Sequence, residues 1–311
     1  MHMPDLTSPN DDGQLFNVEY SQASTSPTAP LFAAVAEALR RAAPEREAQF
    51  DRETCGIVLR ILDVDRWLCQ TQFGAIQIST RTLEVTWAFC YASWVFYARV
   101  VMGKKPSGET VDLTKRRDVQ PALRLLDWAM NAMGSEAGPF WPEDLPRPPV
   151  EVALASDEHV ANELTLLALA FYLHHELAHT YLDAGATENM LAHERACDEA
   201  AAAWLLGVPD LPNEVRDKRA LGVAVGLLLI TANGLWTGRP DGVVHPFGFD
   251  RLVETLESHV MVDDETVWGV VVAILALHTT RARLSTPSGT YDTFHAAARA
   301  YRDPLKAAVA P

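Results

Sequence analysis

The stretch from Asp157 to Ala201 constrains this chain more than any other. At its centre, His175-Glu176-Leu177-Ala178-His179 lies within a long run of apolar helix formers. Val160, Leu164, Leu167, Ala168 and Phe171 recur at helical spacing and lead directly into the two histidines. Side chains at i and i+4 project from one helix face, so both imidazoles continue the buried face and can converge on one point. Buried imidazoles need partners, and a metal ion satisfies two at once. Glu176 follows the first histidine immediately. That turns it beside such a metal rather than onto it, where a carboxylate can take a proton from activated water.

A third ligand is expected downstream. Fifteen residues past His179, Glu194 and Asp198 form a second i, i+4 pair on another Ala-rich helix running to about Leu206. Glu194 can complete a three-ligand set that leaves a fourth position open, as hydrolytic zinc requires. Asp198 can accept a hydrogen bond from a ligand histidine and fix its tautomer. His193, next to Glu194, is the alternative third ligand. His174 is rotated by about 100° from His175 around the helix, an outward or supporting position. Cys197 lies off the face that Glu194 and Asp198 share and reads as packing. Five residues with two wildcards arise by chance; E-x-x-x-D on a second helix after a short loop makes the joint pattern a metal site.

HHELAH followed by E-x-x-x-D-x-x-A resembles the gluzincin metallopeptidases. Two branches are similar. The soluble Lit-like phage-exclusion peptidases share the apolar lead helix, HELAH and an ExxxD-type helix ending in Trp204-Leu205-Leu206. The CAAX-processing and Oma-type peptidases share an H-P-x-x-x-x-R segment, here His245 to Arg251. The likeness covers about residues 150–255 and is specific over the motifs. It implies a zincin-like fold, Zn²⁺ held by His175, His179 and Glu194, and Glu176 as general base. By the same likeness His245 stabilises the oxyanion, with a turn-forming structural histidine as the alternative. Arg251 is then an anchor for Asp198, Glu199 or a substrate carboxylate. The Lit-like branch further implies a cytosolic protein target and phage defence.

Around this centre the chain reads as mainly helical with a small sheet, an α+β arrangement. Residues 1–30, rich in Pro, Ser, Thr, Asp and Asn, are expected to be a disordered leader or a loosely attached arm. Residues 31–138 form an N-terminal part with a helix at 31–43, strands at 56–62 and 75–79, and helices at 82–102 and 119–133. The aromatics of 82–102 are expected to cover the catalytic helix. A Pro-rich connection spans 139–149, and the catalytic part, 150–311, packs with 31–138 as one unit. Within it, 150–154 reads as a strand. Either that strand or 75–79 is expected to be the edge that pairs with an extended substrate. Helices follow at 214–235, 249–260 and 264–281, with an amphipathic segment after Tyr291.

Composition narrows the function. A net charge of −15 argues against a general nucleic-acid binder, and the short Lys115-Arg116-Arg117 cluster reads as a solvated face. Four cysteines without a CxxC pair point to reduced thiols and a cytosolic compartment. The opening residues lack the basic and apolar regions of a signal peptide. Ala220 to Trp236 is apolar, but it is 17 residues long and broken by Gly and Asn, so a buried core helix is expected rather than a membrane span. The expected function is a soluble zinc endopeptidase acting on a protein or peptide. The alternatives are a catalytically silent zinc-binding sensor with a peptidase fold, and a membrane-associated peptidase.

Overall fold

The computed structural model describes residues 17–21, 24–54, 56–72, 74–103, 113–135, 139–151, 153–182, 190–237 and 246–309. Val58–Leu62 (β2) turns Leu59 and Ile61 inward and its other residues outward, the period-2 pattern of a strand with one face on a core. It pairs in parallel with Asn17–Tyr20 (β1) on one side and Ala75–Ser79 (β4) on the other. Cys69–Gln72 (β3) adds antiparallel to β4, giving the order β1-β2-β4-β3. The strands expected at 56–62 and 75–79 are β2 and β4. β1 falls inside the stretch expected to be a disordered leader, where pairing with β2 orders four residues that are only half-buried.

Helices supply the rest. They are Phe32–Arg41 (α1), Glu47–Glu53 (α2), Thr80–Phe96 (α3), Gln120–Met133 (α4), Asp157–Tyr181 (α5), Met190–Leu206 (α6) and Asn213–Thr237 (α7). Gly248–His259 (α8), Glu265–Arg281 (α9), Phe294–Arg299 (α10) and Arg302–Val309 (α11) complete them. The protein is mainly α with a small mixed sheet. α5 starts where Ser156 accepts a hydrogen bond from the His159 amide, with Asp157 and Glu158 in the positive first turn. It is enclosed by α1, α3, α6 and α7, which accounts for apolar residues on nearly every side. One continuous core runs from Leu31 to Leu305, so the segments before and after the Pro-rich connection share it. Trp87 and Phe89 of α3 are fully buried in that core, and Trp87 donates to Asn162 of α5 at 2.6 Å.

Two expectations about the middle of the chain are corrected. Residues 150–154 make no strand among those described. They follow Pro148 and Pro149, and Val150 and Leu154 are 86% and 85% exposed. β4 has no open edge either, since β2 and β3 flank it. The Pro-rich connection is irregular yet anchored: Trp141 packs at 4.6 Å from the ring of Trp128, and Leu145 is buried.

α7 is long and apolar enough to cross a membrane by length and composition, but 67% of its apolar window is buried within the protein. Its glycines serve close packing on α5. A methyl group at Gly222 would lie 2.3 Å from Leu167 Cβ and 3.1 Å from the Leu167 backbone. Tyr172 donates to the Gly226 carbonyl at 2.8 Å one turn further on. Gly222→Ala is therefore expected to push α7 off α5 and cost ~1–3 kcal/mol, the usual range for overpacking. Denaturant unfolding of both proteins checks this, and an unchanged midpoint would show that the interface yields.

Candidate metal centre

α5 delivers His175 and His179 one turn apart, and their Nε2 atoms stand 3.2 Å from each other. α6 crosses α5 and brings Glu194 to them. Its carboxylate oxygens lie 3.5 Å from His175 Nε2 and 3.6 Å from His179 Nε2. For ligands at the zinc–nitrogen distance, the edge of a tetrahedron is about 3.3 Å. Each Glu194 oxygen faces one histidine, and the three separations fall around that length, with two imidazole nitrogens and a carboxylate as the donor groups. The set fits a small divalent cation with one position left for a further ligand.

Electrostatics points the same way. Burial disfavours a charge on His175, but the Asp198 and Glu194 carboxylates outweigh it and raise its pKa to about 9. His179 moves the other way, to about 4, through burial and the neighbouring His175 charge. Positive charge is thus favoured at His175, beside the carboxylates of Glu194, Asp198 and Glu176. The same carboxylates would favour a cation there.

Behind the donors stands a second pair of groups. Asp198, 2% exposed, approaches His175 Nδ1 at 3.0 Å. Arg251 from α8 grips the same carboxylate with Nε at 2.6 Å and Nη2 at 2.7 Å, and its Nη2 lies 3.8 Å from Glu194. Burial would raise the Asp198 pKa, but Arg251 and His175 more than offset it and keep the group ionised. Of the two protein partners expected for Arg251, Asp198 is the one it holds. Glu199 instead accepts from His259.

Glu176 sits beside the donors with its pKa raised by burial, an effect that the nearby His175 charge and Thr71 only partly counter. Thr71 of β3 reaches both its main-chain oxygen, at 2.7 Å, and Oε2, at 3.0 Å. The sequence reading missed Thr71. β3 reads Cys-Gln-Thr-Gln, with no apolar alternation to reveal an edge strand, and no local spacing links it to Glu176 across 105 residues.

His174 is placed differently from expectation. His174 faces neither solvent nor the centre. It is 3% exposed, stacks on Trp204 at 4.8 Å, approaches the Leu39 carbonyl at 3.3 Å, and burial lowers its pKa to about 4. His193 lies behind His179, its Nε2 3.0 Å from His179 Nδ1, and Cys197 Sγ is 3.4 Å from that same nitrogen. His245 lies outside the described residues.

Comparison with known proteins gives this arrangement a context. The chain is 25% identical over 265 residues to the "Cell death peptidase" of Escherichia coli (strain K12), a match covering 80% of this chain and 88% of that protein. No solved structure matches. The Peptidase U49 family model matches residues 76–271, from β4 into the first half of α9, a span that contains both α5 and α6. The chain belongs to the Peptidase U49 family, and it is a peptidase.

Proposed function

We propose that this peptidase is a zinc-dependent endopeptidase of the gluzincin type, with His175, His179 and Glu194 holding the ion. The observation that carries this reading is the convergence of the two Nε2 atoms, 3.2 Å apart, with the Glu194 carboxylate, one oxygen 3.5 Å from His175 and the other 3.6 Å from His179, close to the edge of a zinc tetrahedron. When bound, the ion polarises the scissile carbonyl and makes water a competent nucleophile near neutral pH. Glu176 takes the proton from the attacking water and passes it to the leaving amine nitrogen. Its raised pKa suits a group that must gain and release that proton in one cycle. Asp198, itself held by Arg251, keeps His175 turned with Nε2 forward.

The substrate backbone is assigned to β3. It is an edge strand, and Thr71 ties it directly to Glu176, so an extended peptide pairing with it would run past the base. Residues 150–154 form no strand among those described, and β4 is flanked by β2 and β3. A protein target in the cytosol and a part in phage defence are proposed with it, from the likeness to Lit-like peptidases. His245 is retained as the proposed oxyanion donor on the sequence resemblance alone.

Elemental analysis of protein purified without added metal tests the reading. About one zinc per chain is expected. Glu194→Ala should lose it, and chelation should stop hydrolysis of a peptide library. A protein that cleaves peptides at full rate after complete metal removal would overturn the proposal.

A further inference from the structure

α6 carries two interleaved i, i+4 pairs, and they address different sides of the histidines on α5. Glu194 and Asp198 meet His179 Nε2 and His175. His193 and Cys197 meet the other nitrogen of His179. His193 Nε2 is 3.0 Å from His179 Nδ1, Cys197 Sγ is 3.4 Å from that nitrogen, and Sγ and His193 Nε2 are 3.8 Å apart. A tetrahedral ion bound to one thiolate and two imidazoles needs nitrogens about 3.3 Å apart and sulfur about 3.5 Å from each nitrogen. The three separations scatter around those lengths. Cys197 is fully buried and His193 is 9% exposed, so α6 holds both donors in place, while the His179 side chain is 22% exposed and leaves a way in.

We propose that His179, His193 and Cys197 form a second cation site, suited to a borderline or soft divalent ion such as Zn²⁺ or Cd²⁺. His179 then bridges two ions, one at each ring nitrogen. The site shares His179 with the zinc centre proposed above and rests on that reading for this bridging alone. Filling it releases two protons to solvent, one from the Cys197 thiol and one from the His179 ring. The resulting thiolate and imidazolate balance the two charges of the arriving ion. Two dications about 6 Å apart repel, a penalty of roughly a hundredfold in affinity even in a water-like dielectric, so the second ion binds more weakly than the first.

Titration of the metal-free, full-length protein with Cd²⁺ tests this, with bound ion measured by equilibrium dialysis and the cadmium–thiolate charge-transfer band followed in the ultraviolet. Two equivalents are expected, the tighter one silent and the weaker one bringing the band. Cys197→Ser should keep the silent equivalent and lose the other, with circular dichroism confirming the fold. Glu194→Gln should weaken the silent equivalent and leave the band. A single silent equivalent in the parent overturns the second site and spares the first. A band without the silent equivalent does the reverse for the zinc centre. A band that survives in Cys197→Ser comes from another cysteine and also overturns the proposal.

Discussion

Glu176→Gln is expected to lower peptide hydrolysis by roughly 10²–10⁴-fold, the range that a positioned general base contributes. The substitution keeps the side-chain shape and the contact available to Thr71, but an amide cannot take up the proton from water. Glu176 supplies none of the three converging donor atoms, so metal content should stay near that of the parent. The combination is the informative result: a filled centre with little turnover. Stopped assays on a proteome-derived peptide library, paired with metal analysis of the same preparations, measure both. If Glu176→Gln cleaves as fast as the parent, the centre is structural and the hydrolytic reading fails.

Loss of the Asp198–Arg251 pair should have the largest effect on stability. Both side chains are at least 96% buried, and the guanidinium binds the carboxylate through two nitrogens. Arg251→Met leaves a buried carboxylate without its main counter-charge, a change that costs roughly 3–5 kcal/mol in comparable pairs. Asp198→Asn in the same chain removes that stranded charge, so the double variant should recover much of the lost stability. The metal would not recover with it. Without a carboxylate behind His175, affinity should remain roughly 10–100-fold below the parent. Denaturant unfolding and zinc competition on the two single variants and the double variant separate the effects. A double variant as unstable as Arg251→Met alone would mean that the arginine acts by filling space rather than by charge.

The local part of this centre was legible in the chain, because an α-helix sets the relation of residues i and i+4 without help from elsewhere. That is why His175 with His179, and Glu194 with Asp198, were read as pairs on shared faces. β2 and β4 were legible for a similar reason, since alternation along a strand is also local. The length and apolar content of α7 left two readings open; in the structure it packs closely on α5 at Gly222 and Gly226, and 67% of its apolar window is buried within the protein.

What remained depended on how the helices are rotated and stacked, which no local period encodes. The angle of α6 about its own axis puts Glu194 in front of the two Nε2 atoms and His193 with Cys197 behind His179. The same stacking turns His174 into the layer of Trp204 and Leu39 instead of toward solvent. Arg251 reaches Asp198 across 53 residues only because α8 packs on α6, and Thr71 reaches Glu176 only because a short polar strand closes the edge of the sheet. Spacing along the chain was enough to say which residues share one helix face. Which helices and strands those faces meet follows from packing, because such contacts arise from burial of whole faces.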